Sequence, residues 1–204
     1  MKKIEKDNLY KIRHSLSHLL ATAVLEKWPD TKLGIGPVIE NGFYYDFDFK
    51  NPISESDLPA LEERMRELIK EKIDFKKKII SADSAKKLFK NAPYKLELIK
   101  DLIKNKKTIS IYISGKFTDL CSGPHVKNTS QINPLAFKLT SIAGAYWKGD
   151  EKNPMLTRIY GVAFETKKDL DNYLTMMAEA EKRDHRKLGK ELKIFTFSDM
   201  VGPG

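Results

Sequence analysis

The sequence predicts an α+β protein, with a mainly antiparallel sheet packed with helices around a cleft and a linker helix following at the C-terminal side. Three observations lead there. Apolar residues recur with helical spacing in some segments and alternate as in strands in others, the two kinds interleaved along the chain. They do so without regular βαβ periodicity, and no glycine-rich dinucleotide loop accompanies them. From Lys168 onward the spacing is helical again.

The first helix is the clearest element. Between Tyr10 and Trp28, apolar residues fall at Ile12, Leu16, Leu19, Leu20, Ala23, Val24 and Trp28, and Pro29-Asp30 brings the stripe to an end. A glycine-rich passage, Leu33-Gly34-Ile35-Gly36-Pro37, leads to an aromatic run whose alternation from Tyr45 to Phe49 reads as a strand. A second helix is expected from about Glu55 or Leu58 to Ile73, capped by Ser54 or Ser56, with Leu61, Met65, Leu68 and Ile69 on one face. Lys78-Ile79-Ile80 reads as a short strand. A helix opened by Ser81 or Asp83 follows, carrying Ala85, Leu88 and Phe89 until Pro93 breaks it before Tyr94 and Lys95. Strands are then expected at Ile109–Ile113, Ala136–Leu139 and Leu156–Phe164, and after a turn at Gly115 the segment Phe117–Leu120 leads into the cysteine motif. In the last helical stretch Leu170, Leu174, Met177, Leu188 and Leu192 mark one side. The run from Glu181 to Lys187 is charged on every face, as in a solvated connector.

Composition sets limits on this fold. The 204 residues, 41% of them hydrophobic, suffice for one full core or for a large domain with an appendage. A single cysteine forms no intrachain disulfide, and neither a signal-like leader nor a membrane-length apolar run is present, which points to a reducing cytoplasm and no membrane. Lys and Arg outnumber Asp and Glu by 37 to 28, a net charge of +9, which favours polyanionic partners such as RNA.

Two short segments hold the cysteine and three of the four histidines: His14-Ser15-Leu16-Ser17-His18 and Cys121-Ser122-Gly123-Pro124-His125. In a helix, the first spacing puts both imidazoles on one face, one turn apart and beside the buried stripe. If the second segment folds back against it, four nitrogen and sulfur donors converge. Such a set suits zinc, held by His14, His18, Cys121 and His125 or by three of them with water in the open position. The spacing lacks the C-x2-C pairs of common zinc fingers and the glutamate of H-E-x-x-H proteases, so a site in a cleft is expected in place of a structural knuckle. The same residues permit hydrolysis without metal. A neutral histidine, ordinarily of pKa ~6.5, takes a proton from water while a cation steadies the oxyanion. Lys95 is a candidate cation and Asp119 a candidate orienting group.

These residues resemble the editing domain of threonyl-tRNA synthetase, a fold shared more distantly with the alanyl-tRNA synthetase editing domain and with free-standing editing proteins. The resemblance runs through both paired motifs, Ile35–Asp46, Asp119–Val126 and Gly144-Ala145-Tyr146-Trp147-Lys148-Gly149-Asp150, and covers nearly the whole chain. It implies an editing cleft that hydrolyses serine wrongly attached to the threonine tRNA. Its partners would be the 3′ end of that tRNA and the rest of a synthetase, with no cofactor required and zinc allowed.

It also implies a set of roles. His14, His18, Lys95, Cys121 and His125 make up the catalytic set, with His14 as base or water-orienting group and Lys95 as oxyanion partner, and Tyr45 and Asp119 bind substrate. The domain division expected from it is a leader over 1–9, the editing domain over 10–164, a linker helix over 165–193 and the start of a catalytic domain over 194–204. The small domain that precedes this one in bacterial members is expected to be missing, since Met1 lies close to the first helix. Ser122 stands where the family often has arginine. Two other readings compete: a zinc-dependent free-standing deacylase of the alanyl type, and a non-catalytic RNA-binding module.

Overall fold

The structure is a computed structural model that describes residues 8–182. Most of the expected leader, the linker beyond Lys182 and the segment 194–204 lie outside the described residues. Helix α1 (Asn8–Lys27) opens the fold, beginning two residues before the expected domain start. Short strands β1 (Lys32–Leu33) and β2 (Val38–Ile39) precede the long β3 (Gly42–Asp48). Then come α2 (Leu58–Lys70), β4 (Phe75–Ile79), α3 (Ala82–Leu88) and α4 (Pro93–Lys104). The chain continues through β5 (Ser110–Ser114), β6 (Phe117–Leu120), β7 (Phe137–Tyr146), β8 (Met155–Ala163) and α5 (Lys167–Lys182). Among the described residues no helix is long and apolar enough to cross a membrane.

The strands form two antiparallel sheets, as the α+β reading requires. The larger has the order β1-β3-β8-β7, with β2 pairing the start of β3; the smaller is β4-β5-β6. Alternation along β3 sends Phe43, Tyr45 and Phe47 inward, where all three are fully buried, and leaves Tyr44 and Asp46 on the opposite face. There Arg158 of β8 forks onto Asp46 at 2.6 and 2.9 Å and lies 3.7 Å from the centre of the Tyr44 ring. Helix α1 packs between this sheet and α2. It is buried on more than the predicted stripe: Leu16, Leu20 and Val24 lose all exposure, and so do Ser15 and Ser17. Burying those hydroxyls requires partners, which they find in backbone carbonyls. Ser15 donates to Lys11 O (2.8 Å), and Ser17 lies within reach of both His14 O (2.8 Å) and Gly36 O (2.9 Å).

Several boundaries differ from the sequence expectation. A 3-10 turn (Glu55–Asp57) precedes α2, which ends at Lys70, so Ile73 lies past the helix and packs against the core from the turn. The lysine-rich edge strand begins at Phe75, three residues earlier than expected, because pairing with β5 determines its register and not its own composition. Strand β7 continues through Gly144 to Tyr146, past a bulge between Leu139 and Ser141.

The largest correction concerns Pro93. It breaks no helix; α3 has already ended at Leu88, and Pro93 occupies the first turn of α4, where its missing N–H is no loss. Helix α4 and the small sheet share a second apolar cluster of Ala85, Phe89, Ile99, Ile109 and Ile111. The same helix is tied to the other side of the molecule by Tyr94 OH on Asp48 (2.9 Å) and by Trp147 Nε1–H on Glu97 (2.8 Å).

Leu16 and Leu88 separate packing from sequence hydrophobicity. Leu16→Ala is expected to lower stability by about 2–5 kcal/mol, the cost of a cavity in a filled core. Leu88, one of the apolar residues of α3, is 50% exposed, so Leu88→Ala changes stability by no more than about 0.5 kcal/mol. Urea unfolding of both variants measures the difference.

Candidate active site

A cleft of about 310 Å³ opens where α1, the Ile35-Gly36-Pro37 turn, α4 and the end of β6 meet. His14, His18, Lys95, Asp119 and Cys121 line it, together with Tyr10, Leu120, Ser122 and Gly123. Each arrives for a local reason. His14 and His18 are one turn apart on α1. Register in the small sheet pairs Tyr112 with Asp119 and Ile111 with Leu120, which carries Cys121 to the end of β6. Beyond it the Cys121–His125 segment is neither helix nor strand, and it lies against α1, held by His14 and Ser15. Gly123 has φ +80°, and a side chain there would meet the Tyr112 hydroxyl at 2.3 Å. Gly36 is required by close approach, since a Cβ would lie 2.2 Å from the Tyr45 ring.

The first cluster in the cleft is ionic. Lys95, 2% exposed, pairs with Asp119 Oδ1 at 2.5 Å and donates to Tyr45 OH at 3.1 Å. Tyr45 OH donates in turn to Asp119 Oδ2 at 2.6 Å. Burial opposes ionisation of Asp119, but Lys95, His18 and the Tyr45 hydrogen bond outweigh it and hold the carboxyl below its ordinary range. The Tyr45 phenol is raised well above its usual value by burial and then by Asp119, so it stays protonated and donates. Two of the three N–H groups of Lys95 are thus engaged, and the third is left for the cleft it lines.

The second cluster is the paired motifs. Ligating atoms of His14, His18, Cys121 and His125 all lie within 4.8 Å of one another, so the four residues form a cluster that can hold a metal ion. Burial lowers the pKa of all three imidazoles, that of His18 to about 3, and pushes the Cys121 thiol up to about 12. All four are neutral at pH 7, and hydrogen bonds then settle the tautomers of two of them.

His14 Nδ1 lies 3.0 Å from Pro124 O, a carbonyl that only accepts, so Nδ1 carries the proton and Nε2 the lone pair. His125 Nδ1 lies 3.2 Å from Ser15 Oγ, whose own proton goes to Lys11 O. That nitrogen is therefore protonated too. Both Nε2 lone pairs face Cys121 Sγ, at 3.4 and 3.3 Å, and one S–H satisfies only one of them. Among the described residues His18 Nδ1 has no hydrogen-bond partner, and it is buried. The cluster has more acceptors than protons, and its outer hydrogen bonds orient imidazoles as they do around metals.

Two residues expected at the site stand behind its wall. Tyr45 is fully buried, reaching the cleft only through Lys95 and Asp119, and His125 is 8% exposed behind Cys121. The sequence reading missed Tyr10, one helical turn before His14 and packed edge-on to it at 5.9 Å; the i, i+4 spacing signals it. It also missed Ser15 as a buried partner of His125. Lys77 of β4 donates to Ser122 O at 2.8 Å, so a lysine from a neighbouring strand stands at the corner beside Ser122.

Residues 109–160 match the family described as threonyl and alanyl tRNA synthetase second additional domain. The chain is 55% identical over 201 residues to a threonine–tRNA ligase of Borreliella burgdorferi, an alignment covering 98% of this chain and 34% of that protein. It is 54% identical over 203 residues to the threonine–tRNA ligases of Borrelia duttonii and Borrelia hermsii, covering 99% of this chain and 35% of each. The chain spans about a third of the length of the curated relatives it matches.

Asp119→Asn tests the ionic cluster. The change leaves Lys95 charged and buried beside a neutral amide, and the expected loss is about 3–5 kcal/mol in urea unfolding. A loss below about 1 kcal/mol would show that the pair is open to water.

Proposed function

Because the chain belongs to the threonyl and alanyl tRNA synthetase second additional domain family, we propose that it hydrolyses the ester of serine wrongly attached to the threonine tRNA. The observation that carries this reading is a neutral imidazole and a buried ammonium lining one cleft, a base and an oxyanion partner for water attack on an ester. Such a step answers a physical need. Serine and threonine differ by one methyl, worth about 1–3 kcal/mol in a pocket, too little for accurate selection in a single step. A second site that admits serine and excludes the extra methyl supplies the remainder.

In this mechanism His14 Nε2 takes the proton of the attacking water while the Pro124 carbonyl holds its tautomer. The third N–H of Lys95 meets the negative charge developing on the carbonyl oxygen, and Asp119 and Tyr45 fix the ammonium in place. Cys121 and His18 shape the pocket around the serine and terminal ribose, with His125 supporting Cys121 from behind. The donor set of His14, His18, Cys121 and His125 also fits zinc. Bound by three of them, the metal would lower the pKa of a water and polarise the ester. The tRNA end and the remainder of a synthetase are the partners, and residues 10–164 form the editing unit, with a linker from 165 leading onward.

The test is deacylation of seryl-tRNA against threonyl-tRNA, both on the threonine tRNA. The seryl ester is expected to be lost far faster, and rapid loss of the threonyl ester would contradict the sieve. His14→Ala is expected to slow the reaction about 10²–10⁴-fold, and Lys95→Ala about 10²–10³-fold; undiminished rates in both would sink the assignment. Cobalt titration followed by absorbance reads the four-donor cluster separately. A thiolate-to-cobalt band that disappears in Cys121→Ser is the expected result, and a chelator that abolishes deacylation would make the metal a participant.

A further inference from the structure

The segment Gly144–Asp150 carries part of the family resemblance, yet among the described residues that line the cleft none comes from it. It ends β7 and enters the turn to β8, where the backbone is unusual. Lys148 has φ 56° and ψ 16°, in the left-handed region, and Gly149 follows with φ 74°. Glycine enters that region freely, whereas a residue with a Cβ does so at a cost. A lysine held there points to a side chain that is needed where this backbone sends it.

It is sent onto α4. Lys148 Nζ reaches Glu97 Oε1 at 2.6 Å and Asp101 Oδ2 at 2.7 Å, and Trp147 Nε1–H donates to Glu97 Oε2 at 2.8 Å. The buried Trp147 ring packs 4.9 Å from that of Tyr94. Tyr94, Glu97, Leu98 and Asp101 fall at i, i+3, i+4 and i+7, so the turn grips one face of α4. Its apolar cluster also takes in Leu98 and Ile35, and Ile35 belongs to another wall of the cleft.

This grip reaches the first turn of α4. Ala92 at the N-cap makes no side-chain capping bond, and no acidic residue occupies the first turn. Lys95 stands in that turn, where the helix dipole disfavours a cation. By local forces alone, the turn that carries Lys95 is the one most ready to fray. Ion pairs as open to water as those of Lys148 add little to overall stability, so their effect falls on orientation.

We propose that Lys148, together with Trp147, is a positioning residue: through Glu97 and Asp101 it sets the rotation of α4, and with it the direction in which the Lys95 ammonium meets the oxyanion. The inference rests on the editing reading of the cleft. Asp119 and Tyr45 hold the ammonium itself, and the turn fixes the helix from which the side chain departs.

Lys148→Gly tests this cleanly, because glycine keeps the left-handed turn and removes only the side chain. Lys148→Asn, also at ease in that region, repeats the test where glycine destabilises the fold. With seryl-tRNA as substrate, both are expected to lower kcat about tenfold while KM and the urea midpoint change little. Lys148→Arg, which keeps both carboxylates in reach, is expected to restore the rate. In the Lys95→Ala protein the glycine and asparagine substitutions are expected to cost nothing further, since the group they position is gone. Full activity in both variants, or an equal loss in the Lys95→Ala background, would overturn the proposal. If the unmodified protein leaves seryl-tRNA intact, the editing reading fails, and the nitrogen-15 NMR signal of the Lys95 ammonium decides positioning by itself. A signal shifted or broadened in Lys148→Gly supports it, and an unchanged one rejects it.

Discussion

A buried ion pair holds this molecule's functional half together. Lys95 comes from α4, Asp119 from β6 and Tyr45 from β3, so three elements distant in sequence meet at one ammonium. Burying such charges is costly unless each finds partners, and here the phenol bridges the two and completes the set. Apolar residues of similar volume would pack as well. What the pair supplies is a fixed cation facing a cleft, and the surrounding structure meets the cost. Tyr94 and Trp147 clamp α4 from the side of the large sheet, and Ile99 anchors it against the small one.

The imidazole and thiol cluster beside it has a different character. It is neutral, buried and short of protons: two Nε2 lone pairs address one sulfur, and among the described residues His18 Nδ1 has no partner. Unsatisfied acceptors at this density are uncommon in a folded interior. The hydrogen bonds that His14 and His125 donate to Pro124 O and Ser15 Oγ point those lone pairs at a common centre, an arrangement suited equally to a metal and to a water that must lose a proton. An ionic cluster and a neutral one share a wall of the cleft, and the proposed ester hydrolysis draws on both.

The sequence made part of this legible. Strongly periodic elements such as α1 and β3 could be read directly, because a buried stripe and a buried sheet face leave unmistakable spacing. The four donors were legible because nearly all the chain's imidazole and thiol is concentrated in two short motifs. Lys95 is a different case: as one lysine among many it is singled out only through the resemblance. Its helix was missed because Pro93 reads equally as a terminator and as a first-turn residue. The start of β4 was missed because its lysines are tolerated on an edge strand that only pairing with β5 defines.

The sequence by itself determined which residue types would be available, how α1 presents His14 and His18, and that strands would pair antiparallel around a helical core. Local periodicity decides these, and it is written in nearest neighbours. The tertiary structure alone decided that Lys95 is paired and buried, that Tyr45 and His125 stand behind the wall, which nitrogens carry protons, and that the turn before β8 grips α4. Those outcomes depend on contacts between residues tens of positions apart. A hydrogen bond from His14 to Pro124, across 110 residues of chain, has no signature in the order of amino acids.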